Sequence, residues 1–242
     1  MIAIEIKDLT KKYKDTVAVD GLSLSIREGE LFSLLGVNGA GKTTTIKMLC
    51  TLTEPTDGDA LLLGHSIRRE PSKVKSLIAV SPQETAIAQG LTVHENLELI
   101  CGVHGFAREK SIQKINELSS LLGLSEILNK KAGKLSGGWQ RRLSIAMALI
   151  SEPKILFLDE PTLGLDVIAR SELWDLIRAL KGKITIILTT HYMEEAEELS
   201  DRIAIMRNGR LLICDTAEKI IENAGETSFE RAFIKTVKEG SK

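Results

Sequence analysis

Hydrophobic residues alternate with polar ones near both ends of the chain and gather into short runs between them. Over residues 17–30, polar or small residues largely separate the apolar ones, a pattern typical of a half-exposed sheet. Near the other end, the apolar stretches 203–206 and 211–213 flank Asn208-Gly209, a strong signal for a tight hairpin. The pattern therefore predicts antiparallel strands at both ends of the chain.

Short apolar runs also occur through the middle of the chain, and each is too short for a buried helix. They lie at residues 31–35, 77–80, 155–158 and 184–188. Such runs suit parallel strands that are covered on both faces. Between them, helical spacing of apolar positions predicts helices over 42–52, 93–103, 110–122, 142–150 and 168–180. Strands alternating with helices indicate βαβ units and a mostly parallel sheet.

The chain shows no linker, low-complexity tract or repeat, and its 242 residues are enough for a sizeable core. We therefore expect one α/β domain over residues 1–242, with a mostly parallel central sheet and an antiparallel β subdomain. Residues 84–150 are predominantly helical and are predicted to form a helical subdomain. Residues 215–242 are predicted to form a short C-terminal helical tail.

The charge of the chain is nearly balanced, with 32 Lys and Arg against 33 Asp and Glu and a net charge of -1. This balance gives no electrostatic reason to expect nucleic-acid binding. No apolar stretch approaches the ~20 residues that a membrane-spanning helix needs. The N-terminus has no apolar core of signal-peptide length. We expect any membrane role to be exercised through a partner.

A glycine-rich segment between a predicted strand and a predicted helix fits G-x-x-x-x-G-K-[ST], the pattern of a phosphate-binding loop. Its glycines let consecutive N–H groups point at one anion, and the helix N-terminus adds a positive dipole end. Lys42 adds a full charge for the β- and γ-phosphates, and the Thr43 hydroxyl can coordinate Mg²⁺. The segment predicts a P-loop NTPase; its residues are Gly36, Val37, Asn38, Gly39, Ala40, Gly41, Lys42, Thr43 and Thr44.

Two acids, Asp159 and Glu160, directly follow the apolar run 155–158. Because the carboxyl ends of parallel strands line the ligand crevice, both acids are expected beside the phosphates. Asp159 suits the outer shell of Mg²⁺. Glu160 could polarise an attacking water, which predicts an enzyme that hydrolyses its nucleotide.

A second glycine-rich motif lies between the phosphate loop and the two acids. It reads Leu135-Ser136-Gly137-Gly138-Trp139-Gln140-Arg141-Arg142 and resembles the L-S-G-G-Q signature of the ABC ATPase family. Ser136 can cap a helix, and the two glycines expose backbone N–H groups, so the motif is a second anion site. Trp139 departs from the usual Gln; an effect on the dimer seam and an ordinary packing role are both open.

Other positions match the same family, and the resemblance implies a role for each. Tyr13 resembles the aromatic residue that stacks on adenine, and Gln83 resembles the Q-loop residue that touches Mg²⁺ and the attacking water. Asp166 resembles the D-loop residue at the dimer seam. His191 resembles the switch histidine that contacts the γ-phosphate.

The resemblance implies an ATP- and Mg²⁺-dependent ATPase whose subunits pack head-to-tail. Each ATP would lie between one subunit's phosphate loop and the partner's Ser136, Gly137, Gly138 and Asp166. The expected partners are a second copy of the ATPase and a polytopic permease subunit. The chain would lie peripherally on the cytoplasmic face of the cell membrane, with residues 89–97 placed for transmission contacts.

Rival functions fit the motifs less well. A Ras-like GTPase needs N-K-x-D, and residues 129–132 lack the Asp. Repair ATPases of the superfamily carry a long insertion before the signature, and translation members carry two ATPase halves. Among transporters, residues 52–58, 91–97, 161–166 and 227–233 resemble the class that exports drugs, polysaccharides or sodium. Export is therefore favoured over import.

Overall fold

A computed structural model describes residues 1–240 of the chain. The strands are β1 Ile2–Tyr13, β2 Thr16–Arg27, β3 Leu31–Leu35, β4 Asp57–Leu62, β5 His65–Ser66, β6 Ile78–Ser81, β7 Ile155–Asp159, β8 Thr185–Thr190, β9 Arg202–Arg207 and β10 Arg210–Asp215. The helices are α1 Lys42–Leu49, α2 Pro71–Leu77, α3 Val93–Val103, α4 Arg108–Leu121, α5 Gly137–Leu149, α6 Val167–Leu180, α7 Met193–Leu199, α8 Ala217–Ala224 and α9 Phe229–Glu239. Short 3-10 turns lie at Ser125–Ile127 and Ala132–Lys134.

The larger sheet has six strands in the order β10-β9-β3-β8-β7-β6. The strands from β9 to β6 pair in parallel, whereas β10 pairs with β9 in the antiparallel sense. Strands β3, β7 and β8 are buried at every position, which explains the short apolar runs within them. Because parallel strands end at the same edge, the segments after β3, β6, β7 and β8 meet there.

The smaller sheet is antiparallel, with the order β2-β1-β4-β5. Its inner face packs on the larger sheet and α1 to form one apolar core. Phe32 and Phe157 come from the larger sheet, Ile4 and Leu62 from the smaller one, and Met48 from α1. The two sheets are therefore joined by burial around the helix that follows the phosphate loop.

Two further cores lie on the remaining faces of the molecule. Helices α3 to α6 bury Leu97, Leu118, Leu143 and Leu173 against the larger sheet. The last two helices bury Phe229 in a cluster that also contains residues of β3, β9 and α7. Residues near the end of the described chain are thus packed against α7.

The predicted fold class is confirmed: a mostly parallel central sheet is combined with an antiparallel one and with helices. Helix α3 has the predicted bounds, Val93–Val103. Helix α1 ends at Leu49 rather than at residue 52, since Thr51 adopts a positive φ of 57° that a helix cannot continue through. Helix α5 begins at Gly137 rather than at residue 142. Its first turn contains two glycines and no helical spacing of apolar residues, so the hydrophobic pattern did not reveal it.

The hydrophobic pattern did not predict some of the elements. They are β4, β5, α2 and α7, which are short or rich in charged residues. The stretch 84–150 contains α3, α4 and α5, and the stretch from 215 contains α8 and α9. The division into a helical subdomain and a tail stays a prediction, and residues 241 and 242 of that tail lie outside the described residues.

Candidate functional site

Parallel strands deliver the predicted site residues to one edge of the larger sheet. The phosphate loop follows β3, Gln83 follows β6, Glu160 follows β7 and His191 follows β8. All four strands run in the same direction, so these residues converge although they are far apart in sequence. Gln83, Glu160 and His191 line one cavity together with the loop.

The cavity has a volume of about 690 Å³. Of the predicted residues, it is lined by Asn38, Gly39, Ala40, Gly41, Lys42, Thr43, Thr44, Gln83, Glu160 and His191. Two others lie directly behind these: the Gly36 oxygen accepts a hydrogen bond from Lys42, and Asp159 lies beside Thr43. The structure thus brings most of the predicted single-chain site together.

The turn into α1 has the backbone of an anion-binding loop. Gly41 precedes the helix with a φ of 101°, and no side chain caps the helix or places an acid in its first turn. The free N–H groups at this helix start are therefore available to a phosphate. A Cβ on Gly41 would lie 2.5 Å from the Ala18 oxygen, so this position requires glycine.

Lys42 is a buried cation that points into the cavity. Its ammonium donates to the main-chain oxygen of Gly36 at 2.7 Å and lies 3.8 Å from Glu160 Oε1. Burial lowers the pKa of Lys42, while the nearby charges of Glu160 and Asp159 raise it. A phosphate would supply the negative charge that this partly desolvated ammonium favours.

Asp159 and Thr43 form the part of the site that suits Mg²⁺. The Thr43 hydroxyl lies 3.5 Å from Asp159 Oδ1, and Thr189 Oγ1 also donates to that oxygen. Over residues 1–240 no group of three or more His, Cys, Asp or Glu side chains could hold a metal ion. A carboxylate, a hydroxyl and a nearby amide nevertheless fit Mg²⁺, which commonly binds one or two carboxylates and takes its other ligands from water and phosphates.

Glu160 is held in an unusual backbone conformation at the end of β7. Its φ is 49°, and its N–H is shared between the oxygen and the hydroxyl of Thr189, both at 3.1 Å. Its Oε2 lies 2.5 Å from Nδ1 of His191. Because a carboxylate only accepts, Nδ1 of His191 carries the proton in this contact. Residues outside the glycines rarely adopt such a φ, and outliers of this kind cluster at functional sites.

Several residues that line the cavity were not among the predicted site residues. They are Thr16, Val17, Ala18, Leu163 and Asn208. Asn208 belongs to the predicted hairpin turn between β9 and β10, and the next residue reaches the phosphate loop: Gly209 N–H donates to the Ala40 oxygen at 3.1 Å. The Gly209 oxygen in turn accepts from Asp20 of the smaller sheet. The Asn-Gly signal located the turn but carried no information about its contact with the loop.

Tyr13 lies beside the cavity rather than in its lining. It ends β1, pairs with Thr16, which does line the cavity, and is 45% exposed. The Lys11 ammonium lies 5.0 Å from the centre of its ring. Its ring is therefore open to solvent next to a residue that lines the cavity.

The signature segment and Asp166 lie apart from this cavity but next to each other. A Cβ on Gly137 would lie 3.5 Å from Leu165 Cδ2, and one on Gly138 would lie 3.1 Å from Ala169 Cβ. Ser136 occupies the N-cap position of α5 and is exposed, but its side chain makes no capping hydrogen bond, in contrast to the expectation. Asp166 caps α6 by accepting from the N–H groups of residues 168 and 169.

A family model described as ABC transporter matches residues 19–163, more than half of the chain. The chain belongs to this family. It is 41% identical over 224 residues to the daunorubicin/doxorubicin resistance ATP-binding protein DrrA of Streptomyces peucetius, covering 92% of this chain and 68% of that protein. It is 38% identical over 245 residues to the probable multidrug ABC transporter ATP-binding protein YbhF of Escherichia coli (strain K12), covering 99% of this chain but 42% of that protein.

Solved structures of ABC transporter ATP-binding subunits have the same fold. One ATP binding subunit superposes with a TM-score of 0.85 at 28% identity and covers 97% of this chain and 99% of its own. CbiO1 from Clostridium perfringens, part of the ABC transporter complex cbiONQ, gives a TM-score of 0.84 at 25% identity, with 91% of each chain covered. This ABC chain is therefore an ATP-binding transporter subunit and an ATPase. None of its helices over residues 1–240 is long and apolar enough to cross a bilayer.

Proposed function

We propose that this chain hydrolyses ATP as one half of a head-to-tail dimer and thereby drives export through a separate membrane subunit. The observation that carries the proposal is the placement of the Glu160 carboxylate between Lys42 and His191 in the phosphate-loop cavity. A base, a cation and a second proton-bearing group are thus gathered where a γ-phosphate would end. This is the arrangement that hydrolysis of a phosphoanhydride requires.

Each residue of the cavity has a separate task in this proposal. The N–H groups of the loop and Lys42 bind the β- and γ-phosphates and stabilise the negative charge that grows on them. Glu160 orients the attacking water and accepts its proton. His191 holds Glu160 by its Nδ1–H and presents its other ring nitrogen toward the γ-phosphate. Gln83, which follows the neighbouring strand β6 at the same edge of the sheet, positions the water.

Thr43, Gln83 and Asp159 are the residues that would hold Mg²⁺. When bound, the ion neutralises charge on the phosphates. Asp159 keeps its orientation through Thr189, whose hydroxyl donates to it and also accepts from the Glu160 N–H. The metal-binding and water-activating acids are therefore fixed by one threonine.

The dimer is proposed because a segment suited to bind an anion does not line the chain's own cavity. Ser136 and Gly137 are exposed at the start of α5, where N–H groups and a helix dipole favour an anion. They do not line this chain's own cavity, so we assign them to the ATP of a second copy, with Gly138 beside them and Asp166 at the seam. Tyr13 is proposed to stack on the adenine.

The proposed membrane partner, direction of transport and location are supported by the family and by the names of the relatives. DrrA is named for drug resistance and YbhF as a probable multidrug transporter protein, which supports export. A chain of this class would work through a polytopic permease and lie peripherally on the cytoplasmic face of the membrane. Residues 89–97, around the start of α3, are proposed as its transmission contact.

The test uses the full chain and its Glu160→Gln variant. We expect the variant to bind ATP as tightly as the wild type, to lose at least about 100-fold in kcat, and to form an ATP-dependent dimer by light scattering. Near-normal hydrolysis by Glu160→Gln would remove Glu160 from its role. A variant that binds ATP but stays monomeric would contradict the proposed ATP-dependent dimer.

Copurification of the wild-type chain from its own membranes tests the transport proposal. A polytopic membrane protein that copurifies and stimulates Mg²⁺-ATPase activity is expected, and transport measured in vesicles then gives the direction. A soluble or ribosomal partner without any membrane protein would instead support the non-transport ABC ATPases, and uptake would support an importer.

A further inference from the structure

Glu195 is a buried carboxylic acid for which the proposed chemistry has no task. It lies on α7, four positions after His191, and its side chain is 0% exposed. The neighbouring acids Glu194, Glu197 and Glu198 are all exposed. A glutamate with no contact to water persists in a fold only when its surroundings are arranged for it.

The carboxyl group of Glu195 joins three segments of the chain. Its Oε1 accepts hydrogen bonds from Thr162 Oγ1 at 2.8 Å and from Trp174 Nε1 at 3.0 Å. Thr162 is itself buried, with 1% of its surface exposed. Among the described residues, Oε2 is buried with no hydrogen-bond partner. The group therefore acts chiefly through one oxygen.

These contacts lie directly behind the pair of residues proposed to act on the water. Thr162 is two positions after Glu160, and Glu195 is in the helix that begins just after His191. Glu160 and His191 meet at 2.5 Å. The segment after β7 and the segment from His191 to α7 are therefore joined twice. The Glu160–His191 contact joins them on the cavity side, and the Thr162–Glu195 hydrogen bond joins them on the buried side.

The surroundings of Glu195 favour the neutral acid. Burial raises the pKa of Glu195, and the negative charge of Glu160 raises it further, while the nearby Thr190 hydroxyl and the hydrogen bonds from Thr162 and Trp174 lower it. In either protonation state the group offers an acceptor oxygen to Thr162. Glutamine has nearly the same shape and offers the same oxygen, so it is a close substitute.

We propose that Glu195 is a positioning residue whose hydrogen bond from Thr162 holds Glu160 and His191 in register for hydrolysis. The inference rests on the proposed role of Glu160. Without the bond, the segment after β7 and the start of α7 move independently, and the contact between Glu160 and His191 loosens. Binding of ATP by the phosphate loop does not depend on it, since that loop follows β3.

The experiment compares steady-state ATPase kinetics and ATP affinity of the full chain with Mg²⁺-ATP. We expect Glu195→Ala and Thr162→Val each to lower kcat by roughly 10- to 100-fold, since misplacement of about 1 Å has effects of that size, with ATP affinity unchanged. The double variant should lose no more than the worse single variant, because both break the same bond. Glu195→Gln should restore kcat to within about threefold of the wild type, with the affinity again unchanged.

The matched control is Glu194→Gln, the same substitution one residue earlier on α7 at an exposed side chain paired at 3.7 Å with Arg170. It should behave as the wild type. Wild-type kcat in Glu195→Ala, losses that add fully in the double variant, or a Glu195→Gln as slow as Glu195→Ala would each overturn the proposal. Thermal unfolding of Glu195→Gln shows whether its rate is measured on folded protein.

Glu160→Gln in the same assay separates the two proposals. If Glu160→Gln abolishes turnover while the Glu195 series has no effect, the positioning role fails and the role of Glu160 stands. If Glu160→Gln hydrolyses ATP normally, the proposed function fails first.

Discussion

Arg141 donates a hydrogen bond of 2.7 Å to the main-chain oxygen of Gln83. The same guanidinium donates to the Pro82 oxygen at 2.6 Å. Only 5% of the Arg141 surface is exposed, and burial lowers its pKa, while the charge of Asp159 and that of Glu195 in its ionised form raise it. A buried cation on α5 thus fastens the helix that starts at the signature to the loop that lines the ATP cavity. Displacement of either segment would be resisted by the other.

Arg141→Met is expected to lower the free energy of unfolding by about 2–3 kcal/mol, because two charge-assisted hydrogen bonds to main-chain oxygens are lost. We also expect a lower kcat, since Gln83 is no longer held. Urea denaturation and ATPase assays measure both effects.

Arg142→Met is the matched control for Arg141→Met. Arg142 pairs with Glu172 and lies over the Trp139 ring, at 4.6 Å from its centre, without reaching the Gln83 loop. Its substitution should lower stability by no more than about 1 kcal/mol from the ion pair. Equal losses in the two variants would contradict a special role for Arg141.

Gly41→Ala and Gly39→Ala separate backbone strain from steric clash in the phosphate loop. Both glycines have positive φ, 101° and 80°, but a Cβ meets the Ala18 oxygen at 2.5 Å only at Gly41, with no atom within 4 Å at Gly39. Gly39→Ala should lower stability by about 1–2 kcal/mol through strain alone. Gly41→Ala should lose a further ~1–3 kcal/mol from overpacking. Thermal unfolding provides the comparison, and equal losses would argue against the clash.

The pH dependence of stability should differ between the wild type and Glu195→Gln. The raised pKa of Glu195 means that the folded state holds its proton more tightly than the unfolded state. Protonation of Glu195 therefore contributes to the free energy of unfolding in full below the pKa of the unfolded carboxyl. That contribution is lost as the pH rises through the pKa of the folded state. Among the described residues, the charge of Glu160 acts on the pKa of Glu195, and ionised Glu195 acts on the pKa of Arg141; Glu160 and Arg141 both stay in the variant.

Urea denaturation at a series of pH values measures this effect. The advantage of the wild type over Glu195→Gln should shrink with rising pH by at most about 1.4 kcal/mol per unit. Parallel stability curves would show that Glu195 titrates in the folded state as it does in the unfolded state.

Trp139→Gln, which restores the usual signature residue, is expected to destabilise the protein by about 1–2 kcal/mol. The indole packs on the core of α3 to α6 and carries the Arg142 guanidinium on its face, and both contacts are lost. Trp139→Phe keeps an apolar ring and should lose less. Chemical denaturation of the two variants gives the order, and a Gln variant as stable as the Phe variant would contradict a packing role.

Motifs at strand ends were predictable because strand direction alone brings them together. Gln83, Glu160 and His191 each follow a short apolar run, and parallel pairing makes such ends adjacent whatever lies between them in sequence. Identifying the parallel strands was therefore enough to predict that these residues lie in one cavity. Their assigned roles await the experiments above.

Glu195 and Arg141 were beyond reach of the same reasoning. Charged residues normally lie on the surface, and an acid in a run of acids indicates a solvated helix face. A faint signal existed: Glu195 shares one side of α7 with Ala196 and Leu199, both buried. For Arg141 the decisive fact is a contact with main-chain oxygens far away in sequence, which no spacing encodes.

The hairpin turn at Gly209 touches the phosphate loop on one side and the smaller sheet on the other, through its hydrogen bonds with Ala40 and Asp20. The loop is therefore located by two β-sheets at once rather than by its own strand alone. Any change in the angle between the sheets, wherever it originates, would alter the geometry around Ala40. The geometry of the nucleotide site therefore depends on the relative orientation of the two sheets.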